Sequence, residues 1–339
     1  MKLGIIGLPN SGKTTVFETL TRNIQEVSNK AENRIGTVTV PDDRVGILSE
    51  MYKPKKTIYA QVEYFLPGKL DQKKQAIWNQ VRDCDALIHV IRNFSSYGSE
   101  TPSPYEDFMA LDQELRLADQ VVVEKRLETL DTEKKRGKKY NEEEYALLEE
   151  CLKTLESDKP IREVPELAKS PVLKGFTFLS GKPSLVLFNN EDTDDEEPEF
   201  EGLTDKEDFM VIRGKLEHEL AQMSEEEAAD FLTEFEIAEP AMDRVIEKSY
   251  DLLGLISFFT VGEDEVRAWT IRKETIAVDA ADVIHSDIKK GFIRAEVLFY
   301  DDLMSAKTYA EARKTGTVRL EGKTYIVKDG DIINFRFNV

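Results

Sequence analysis

The residues that decide the fold stand near the start of the sequence, where "GLPNSGKTT" occupies positions 7–15. The preceding "MKLGII" is a short apolar run typical of a buried strand, and the glycines, lysine and threonine that follow have the spacing of a phosphate-binding loop. Glycines let the backbone fold around phosphate oxygens, a lysine neutralises the β- and γ-phosphates, and a hydroxyl ligates Mg²⁺. The strand before and the helix after favour this reading over a chance glycine turn. The predicted nucleotide contacts are Gly7, Asn10, Ser11, Gly12, Lys13, Thr14 and Thr15, with Thr14 also on the metal.

The surrounding sequence alternates strand and helix signals. Residues 3–6, 58–66 and 86–91 are predicted strands, residues 13–21 a helix, and "KPSLVLFN" at 182–189 resumes the pattern after a long interruption. Buried strands separated by helices indicate an α/β fold with a mostly parallel sheet and helices on both faces.

The interruption has the periodicity of two helices. Their apolar stripes are Leu111, Leu115, Ala118 and Val122, then Tyr145, Leu148, Leu152 and Leu155. Joined near Gly137, they predict an antiparallel helical hairpin. Its turn, "KKRGKK" at 134–139, holds five bases in six residues, and two interpretations remain open: a solvated loop or a contact point for RNA.

The last segment, from residue 256, changes character again. Short strands with turns at 321–322 and 329–330, and a helix near 280–290, indicate a small α+β domain with a curved sheet. Because the segment concentrates no nucleophile, base or ligand cluster, a binding module is favoured over a catalytic one.

Composition and charge narrow the class of protein. The net charge is -20, with eleven acidic residues against one base between 191 and 208, so no DNA specificity is expected and RNA contacts belong to local basic clusters. No apolar run approaches the roughly 20 residues of a membrane span, and no secretory signal is recognised. Two distant cysteines form neither a disulfide framework nor a metal site. We expect a cytoplasmic protein with no membrane partner.

A possible base-reading segment follows the strand at 182–189. Asn189 is placed to bond the purine N7 edge, Asn190 stands where a lysine usually packs over the base, and Asp192 where a carboxylate accepts from guanine. The alternative is an ordinary acidic loop.

These motifs together resemble the YchF family of Obg-related P-loop NTPases. The similar stretches are "GLPNSGKTT", "VPDDRV", "VRDCDALIHVIR", "FFTVGEDEVRAWTIRKET", "GFIRAEVLFYDDL" and "LEGKTYIVKDGDIINFRFNV". The resemblance implies three parts: a nucleotide-binding domain (1–110 and 175–255), an inserted helical hairpin (111–174) and a C-terminal TGS domain of β-grasp, ubiquitin-like fold (256–339). It also implies a monomer that binds ATP in preference to GTP, hydrolyses it slowly and associates with ribosomes. The family's base-reading motif is Asn-x-x-Glu, which Asp192 alters, so the nucleotide is ATP or GTP.

The sequence departs from the family at its switches. Where the family carries Asp-x-x-Gly, Phe65 stands three residues before Gly68, and phenylalanine cannot hold a metal-bound water. The family's catalytic histidine aligns with Gln80, a poor proton acceptor. Glu63 is a further catalytic candidate, and Asp71 an acid that a rearranged loop would bring to the metal. Thr37 is the nearest candidate for the first switch, although an ordinary strand threonine is favoured.

Two hypotheses follow. The first is a slow ATPase or GTPase acting on ribosomes. The second is a hydrolysis-deficient nucleotide sensor or adaptor that binds RNA or protein through the hairpin and the TGS domain. The phosphate loop favours nucleotide binding in both, and Phe65 favours the second.

Overall fold

The computed structural model describes residues 1–22, 32–68, 74–95, 100–198, 208–234, 237 and 239–338. The strands are β1 (Lys2–Ile6), β2 (Arg34–Thr39), β3 (Lys56–Ile58), β4 (Gln61–Leu66), β5 (Ala86–Asn93), β6 (Ser184–Asn190), β7 (Asp208–Ile212), β8 (Leu255–Val261), β9 (Glu265–Arg272), β10 (Phe292–Phe299), β11 (Arg319–Glu321) and β12 (Asp331–Phe337). The helices are α1 (Lys13–Thr21), α2 (Asp43–Tyr52), α3 (Lys74–Val81), α4 (Pro104–Lys135), α5 (Glu142–Glu156), α6 (Pro165–Ala168), α7 (Gly214–Leu220), α8 (Glu225–Glu234), α9 (Ala241–Leu252), α10 (Ala277–Ile284), α11 (Ser286–Lys290), α12 (Tyr300–Ala306) and α13 (Tyr309–Thr315). Short 3₁₀ turns lie at Ile161–Glu163 and Lys174–Phe176.

The first sheet has the strand order β2-β4-β1-β5-β6-β7, which confirms the predicted α/β fold. β1 pairs in parallel with β4 and β5, and β6 pairs in parallel with β5 and β7. The middle of this sheet is built from almost uninterrupted buried apolar residues, as expected for parallel strands covered on both faces. The phosphate loop therefore leaves the carboxyl end of a strand with neighbours on both sides.

One predicted strand is wrong in its extent. Residues 58–66 form two strands that belong to different sheets, since β3 ends at Ile58 and pairs with β9 while β4 begins at Gln61 and pairs with β1. Apolar alternation runs through both strands without a break, so the pattern alone does not show where the chain changes sheets.

The helical hairpin is confirmed. The second half of α4 packs against α5 through Val123, Leu127 and Leu130 on one helix and Leu148 and Leu155 on the other. Near the turn, Arg126 of α4 donates to Glu144 of α5 at 2.6 Å, and Tyr145 of α5 donates to Asp131 of α4 at 3.0 Å. The end of one helix thus lies beside the start of the next, as in an antiparallel pair.

A buried carboxylate fixes the position of α4. Asp119 is fully buried and accepts hydrogen bonds from the Arg82 guanidinium (2.9 Å) and from the backbone amides of Leu179 (3.0 Å) and Ser180 (2.7 Å). Burial of a charged group is tolerated only when such partners are present. The hairpin is thus tied by defined polar contacts to the segments that precede β5 and β6.

The second sheet has the order β11-β10-β12-β8-β9-β3 and forms the predicted α+β region. β12 pairs antiparallel with β10 and in parallel with β8, while β8 and β9 form an antiparallel hairpin. Ala277, Ala280 and Ala281 of α10 pack on the aromatic face made by Phe258 and Phe335, where small helix residues permit close approach. The packing of α10 across a mixed sheet agrees with the β-grasp arrangement; the TGS assignment stays a prediction.

The described residues group into two compact units, Met1–Thr37 with Glu63–Val245, and Val38–Val62 with Ile246–Val339. The prediction placed all of residues 1–110 in the nucleotide-binding domain, whereas this grouping divides them between the two units. Val38–Val62 groups with the C-terminal unit because β3 pairs with β9 and α2 packs on β8 and β9. The hairpin lies in the first unit. The three-part division at 111–174 and 256–339 otherwise stays a prediction.

Candidate nucleotide site

The phosphate loop between β1 and α1 requires glycine at two positions. Gly7 has φ +155°, and a Cβ atom there would lie 2.3 Å from the carbonyl oxygen of Val90. Gly12, the N-cap of α1, has φ +94°, and a Cβ atom would lie 2.3 Å from Nδ2 of Asn189. Asn10 also adopts a left-handed conformation, at φ 64°. The loop is therefore a tight backbone cradle that side chains would fill.

Polar groups converge on this cradle. The Lys13 ammonium donates to the carbonyl oxygen of Leu8 at 2.6 Å, so this side chain lies along the loop. Ser11 is buried, and its Oγ has no hydrogen-bond partner among the described residues. Thr14 and Thr15 are half-buried in the first turn of α1, whose N-cap contributes no side-chain hydrogen bond. Backbone amides at such a helix start are available to an anion.

Asn189 at the end of β6 holds the cradle in place. Its Nδ2 donates to the carbonyl oxygen of Ser11 at 3.1 Å, and its Oδ1 accepts from the amide of Gly214, the first residue of α7, at 2.9 Å. The side chain is buried and joins the loop to a second helix start. The structure therefore brings Asn189 to the predicted loop residues, in a positioning contact that the sequence did not indicate.

The structure does not bring Asn190 to the loop. Its amide donates to the carbonyl oxygen of Glu196 at 2.8 Å and accepts from Asn93 at 2.9 Å, because successive residues of a strand point to opposite faces. Asp192 forms an ion pair with Lys215, the residue after Gly214, in which Oδ2 of Asp192 lies 3.1 Å from Nζ of Lys215. Hydrogen bonding to Asp192 raises the pKa of Lys215.

The structure does not bring Glu63, a predicted catalytic candidate, to the phosphate loop. The β1–β4 register pairs it with Lys2, at the amino end of the sheet, whereas the phosphate loop follows Ile6. Four residues at about 3.3 Å each place Glu63 about 13 Å from that end of the strand. Its side chain is also exposed.

Phe65 belongs to the apolar core. It is buried with Ile6, Trp78 and Val81, and the Lys2 ammonium lies 5.1 Å from its ring centroid. The amide of Gly68 donates to Oδ1 of Asn33 at 2.9 Å. The position that carries an aspartate in the family thus contributes packing in this chain.

The other switch candidates are placed as follows. Gln80 is half-buried on α3, and its Oε1 has no hydrogen-bond partner within the described part of the chain, so its role stays a prediction. Thr37 is exposed on the edge strand β2, which agrees with an ordinary strand threonine. Asp71 lies outside the described residues.

Three buried titratable groups, one histidine and two cysteines, lie in the apolar cores of the first unit. His89 of β5 stacks on Phe108, and burial, with Arg162 and Lys13 nearby, lowers its pKa to about 3. It is therefore a neutral histidine of the apolar core. Burial raises the thiol pKa of Cys84 to about 11 and that of Cys151 to about 12, so neither presents a reactive thiolate at neutral pH.

Comparison with known proteins covers the whole chain. A family model described as "50S ribosome-binding GTPase" matches residues 2–126, and the YchF GTPase C-terminal model, described as a protein of unknown function, matches residues 255–338. The Ribosome-binding ATPase YchF of Bacillus subtilis is 37% identical over 99% of both chains. The chain belongs to the YchF family.

Further YchF proteins agree in length and fold. The Ribosome-binding ATPase YchF of Escherichia coli O157:H7 is 36% identical over 100% of this chain and 99% of its own. The solved structure of the Schizosaccharomyces pombe YchF GTPase superposes with a TM-score of 0.85 at 29% identity, covering 99% of this chain and 97% of that one.

Sequence reasoning missed two residues that contact candidate residues of this YchF site: Gly214, which contacts Asn189, and Lys215, which contacts Asp192. The only sequence signal was a glycine directly after the short β7 strand, which is weak without knowledge that β7 neighbours β6. The contact between the Gly214 amide and Asn189 appears only when the two strands are paired.

The basic turn of the YchF hairpin is a second candidate surface. The Nζ atom of Lys134 lies 5.6 Å from the ring centroid of Tyr140 and 5.3 Å from that of Tyr145. This lysine therefore packs against two aromatic rings in addition to carrying a charge. The remaining bases of the turn are exposed: Lys135, Arg136, Lys138 and Lys139.

In the described part of the chain, no helix is long and apolar enough to cross a membrane.

Proposed function

We propose that this chain binds a purine nucleoside triphosphate with Mg²⁺ at the loop of residues 7–14 and acts on ribosomes as a slow ATPase or GTPase. The observation that carries the proposal is the glycine cradle closed by Asn189. The relatives named as ribosome-binding ATPases support the ribosomal part. We further propose a monomeric, cytoplasmic protein.

The proposed nucleotide contacts follow from the cradle. Lys13 supplies the positive charge for the β- and γ-phosphates, and the unpartnered Ser11 Oγ is a polar group within the loop. Mg²⁺ in such sites takes few protein ligands besides phosphate oxygens and water, so the Thr14 hydroxyl is a sufficient protein ligand. The contacts proposed are Gly7, Asn10, Ser11, Gly12, Lys13, Thr14, Thr15, Asn189 and Asp192.

Slow hydrolysis follows from the residues around the loop. Phe65 packs in the core, and Glu63 pairs with Lys2, about 13 Å along the sheet from Ile6, so we assign neither to the metal shell. Losing one such stabiliser costs about 10²–10³-fold in rate. The same observation favours the second candidate function, a nucleotide sensor that binds without cleavage. Substituting Phe65→Asp does not separate the two, because it would place a carboxylate in an apolar core.

A single-turnover assay separates them. Protein in excess over Mg-ATP or Mg-GTP is compared with the Lys13→Ala variant, and the exposed Lys169→Ala is the matched control. Slow cleavage that Lys13→Ala abolishes supports the NTPase. Nucleotide bound but uncleaved for hours supports the sensor. Binding unchanged by Lys13→Ala would overturn the proposed site itself.

The choice of base rests on Asp192. Guanine presents N–H donors that a carboxylate accepts, but the ion pair with Lys215 engages this carboxylate. We propose that removing the ammonium by Lys215→Ala frees Asp192 and shifts the preference toward GTP. Competition between ATP and GTP in the variant and in Glu219→Ala, a nearby exposed control, measures the shift. An unchanged ratio would exclude Asp192 as a base contact.

The ribosomal role is tested at the hairpin turn. Because Lys134 packs on two tyrosines, the variant keeps it and replaces the exposed bases Lys135, Arg136, Lys138 and Lys139 by glutamine. The matched control replaces Lys153, Lys159, Lys169 and Lys174, four exposed lysines of the same unit. We expect weaker co-sedimentation with ribosomes and a flatter salt dependence for the turn variant only. Equal behaviour of the two variants would remove the turn from the interface.

A further inference from the structure

The C-terminal unit contains a cleft that the nucleotide site does not use. Its volume is about 560 Å³, and it lies where the β8–β9 hairpin faces β12. Its lining comprises Tyr52, Thr260, Val261, Gly262, Glu263, Asp264, Glu265, Trp269, Ile284, Ile288, Tyr309, Ile332, Ile333, Asn334, Phe335 and Phe337. All of these residues belong to the second unit.

The cleft borders β12, which extends beyond the end of its neighbour β8. The parallel register pairs Ile332 of β12 with Phe259 of β8, so Val261, the last residue of β8, stands beside Asn334. β12 continues to Phe337, and its last three residues have no β8 partner on that side. The edge of such a strand offers backbone groups to an added peptide strand.

The walls of the cleft are aromatic and apolar, and they include one buried hydroxyl group without a hydrogen-bond partner among the described residues. Trp269 and Ile288 line it together with Phe337, whose side chain is 39% exposed. Tyr52 also lines it, and its buried hydroxyl has no hydrogen-bond partner in the part of the chain that the structure describes. A peptide donor or acceptor in the cleft would satisfy that hydroxyl.

The charge of the cleft selects the occupant. Its ionisable lining residues other than tyrosines are Glu263, Asp264 and Glu265, and none of the lining residues is basic. Asp264 pairs with Lys55, whereas the carboxylates of Glu263 and Glu265 have no ion pair among the described residues. Arg267 lies over the Trp269 ring, 3.8 Å from its centroid, and with Lys55 on Asp264 it leaves the three carboxylates of the rim in excess. A rim of this sign attracts a cationic chain and repels nucleic acid, and a second copy of this chain, with net charge -20, is disfavoured.

We propose that this cleft binds an extended peptide segment of a partner protein that carries lysine or arginine between apolar residues. The segment lies along the free edge of β12, and its basic side chains reach Glu263 and Glu265. Apolar side chains at alternate positions enter the cleft beside Trp269. This inference does not depend on nucleotide binding.

The two tryptophans of the protein provide the assay, because Trp78 lies in the core of the first unit and Trp269 in the cleft. Full-length ¹⁵N-labelled protein is titrated with the capped peptide Lys-Phe-Arg-Ile-Lys-Val-Arg, and Trp269→Phe assigns the two indole signals. We expect the Trp269 signal to shift and the Trp78 signal to stay. A peptide with glutamate at every basic position and a twelve-nucleotide single-stranded RNA should leave both unchanged.

Paired variants test the role of charge. Glu263→Gln combined with Glu265→Gln should weaken peptide binding by about two- to thirtyfold, the range for two surface ion pairs. Glu149→Gln with Glu150→Gln, two exposed acids of the first unit, is the control that should bind as the parent does. No shift of Trp269, equal affinity of the two variants, or a shift produced by RNA would each overturn the proposal.

Discussion

The side chain of Asn189 provides the sharpest test of how the fold prepares the nucleotide site. Substituting Asn189→Ala removes the hydrogen bond to the Ser11 carbonyl (3.1 Å) and the one from the Gly214 amide (2.9 Å). Both backbone groups lose a buried partner. We expect a less stable protein and a loop that is no longer held in its binding conformation.

The magnitude follows from the two contacts. Each hydrogen bond contributes about 0.5–1.5 kcal/mol net, and a buried group left unpaired adds to the loss, so the free energy of unfolding should fall by about 2–3 kcal/mol. The variant should also bind nucleotide more weakly, because its loop is no longer held in the binding conformation. If holding the loop contributes about 1.4 kcal/mol to the free energy of binding, the dissociation constant rises about tenfold.

The adjacent Asn190 is a matched control. It is the same residue type, equally buried, and also makes two side-chain hydrogen bonds, to Asn93 and to the carbonyl of Glu196. Asn190→Ala should therefore lower the free energy of unfolding by a similar amount, measured by urea unfolding followed by circular dichroism. It should leave the nucleotide dissociation constant, measured by titration calorimetry, within about threefold.

Two results would refute this reasoning. If both variants weaken nucleotide binding equally, the loss reflects general destabilisation and Asn189 has no special link to the loop. If Asn189→Ala is destabilised but binds nucleotide like the parent, the loop needs no support from β6.

Three further predictions follow from the same unit. Gly12→Ala should abolish nucleotide binding in a titration, because φ is +94° and the added methyl meets Asn189, whereas Gly175→Ala, with open space around it, should not. Asp119→Ala should lower the free energy of unfolding in urea by about 3–5 kcal/mol, since it strands the Arg82 guanidinium; a loss under about 1 kcal/mol would contradict this. The pKa of His89 is about 3 in the folded chain and about 6.5 when unfolded, so protonation favours the unfolded state and stability should fall by about 1.4 kcal/mol per unit below about pH 6.5. His89→Phe should lose that part of the slope, and an identical pH profile would refute the buried neutral state.

Local patterns predicted the parts of the protein that depend on neighbours in sequence. The loop from Gly7 to Thr14 has fixed spacing, and the hairpin repeats leucines at helical intervals, so both were recognised correctly. Glu63 is not brought to the loop, because its nearness to Gly68 in sequence becomes distance along an extended strand, and its catalytic role stays a prediction. The strand at 58–66 was misjudged because its alternation continues across a change of sheet.

The sequence by itself determined that a phosphate loop, a helical hairpin and a small α+β region would form, since each depends on the local order of residue types. Only the tertiary structure decided which groups meet. Asn189 reaches Ser11 and Gly214 across 178 and 25 residues, and Lys215 reaches Asp192 across 23, because strand pairing places them together. Contacts of this range are fixed by sheet order and register, which a single sequence leaves open.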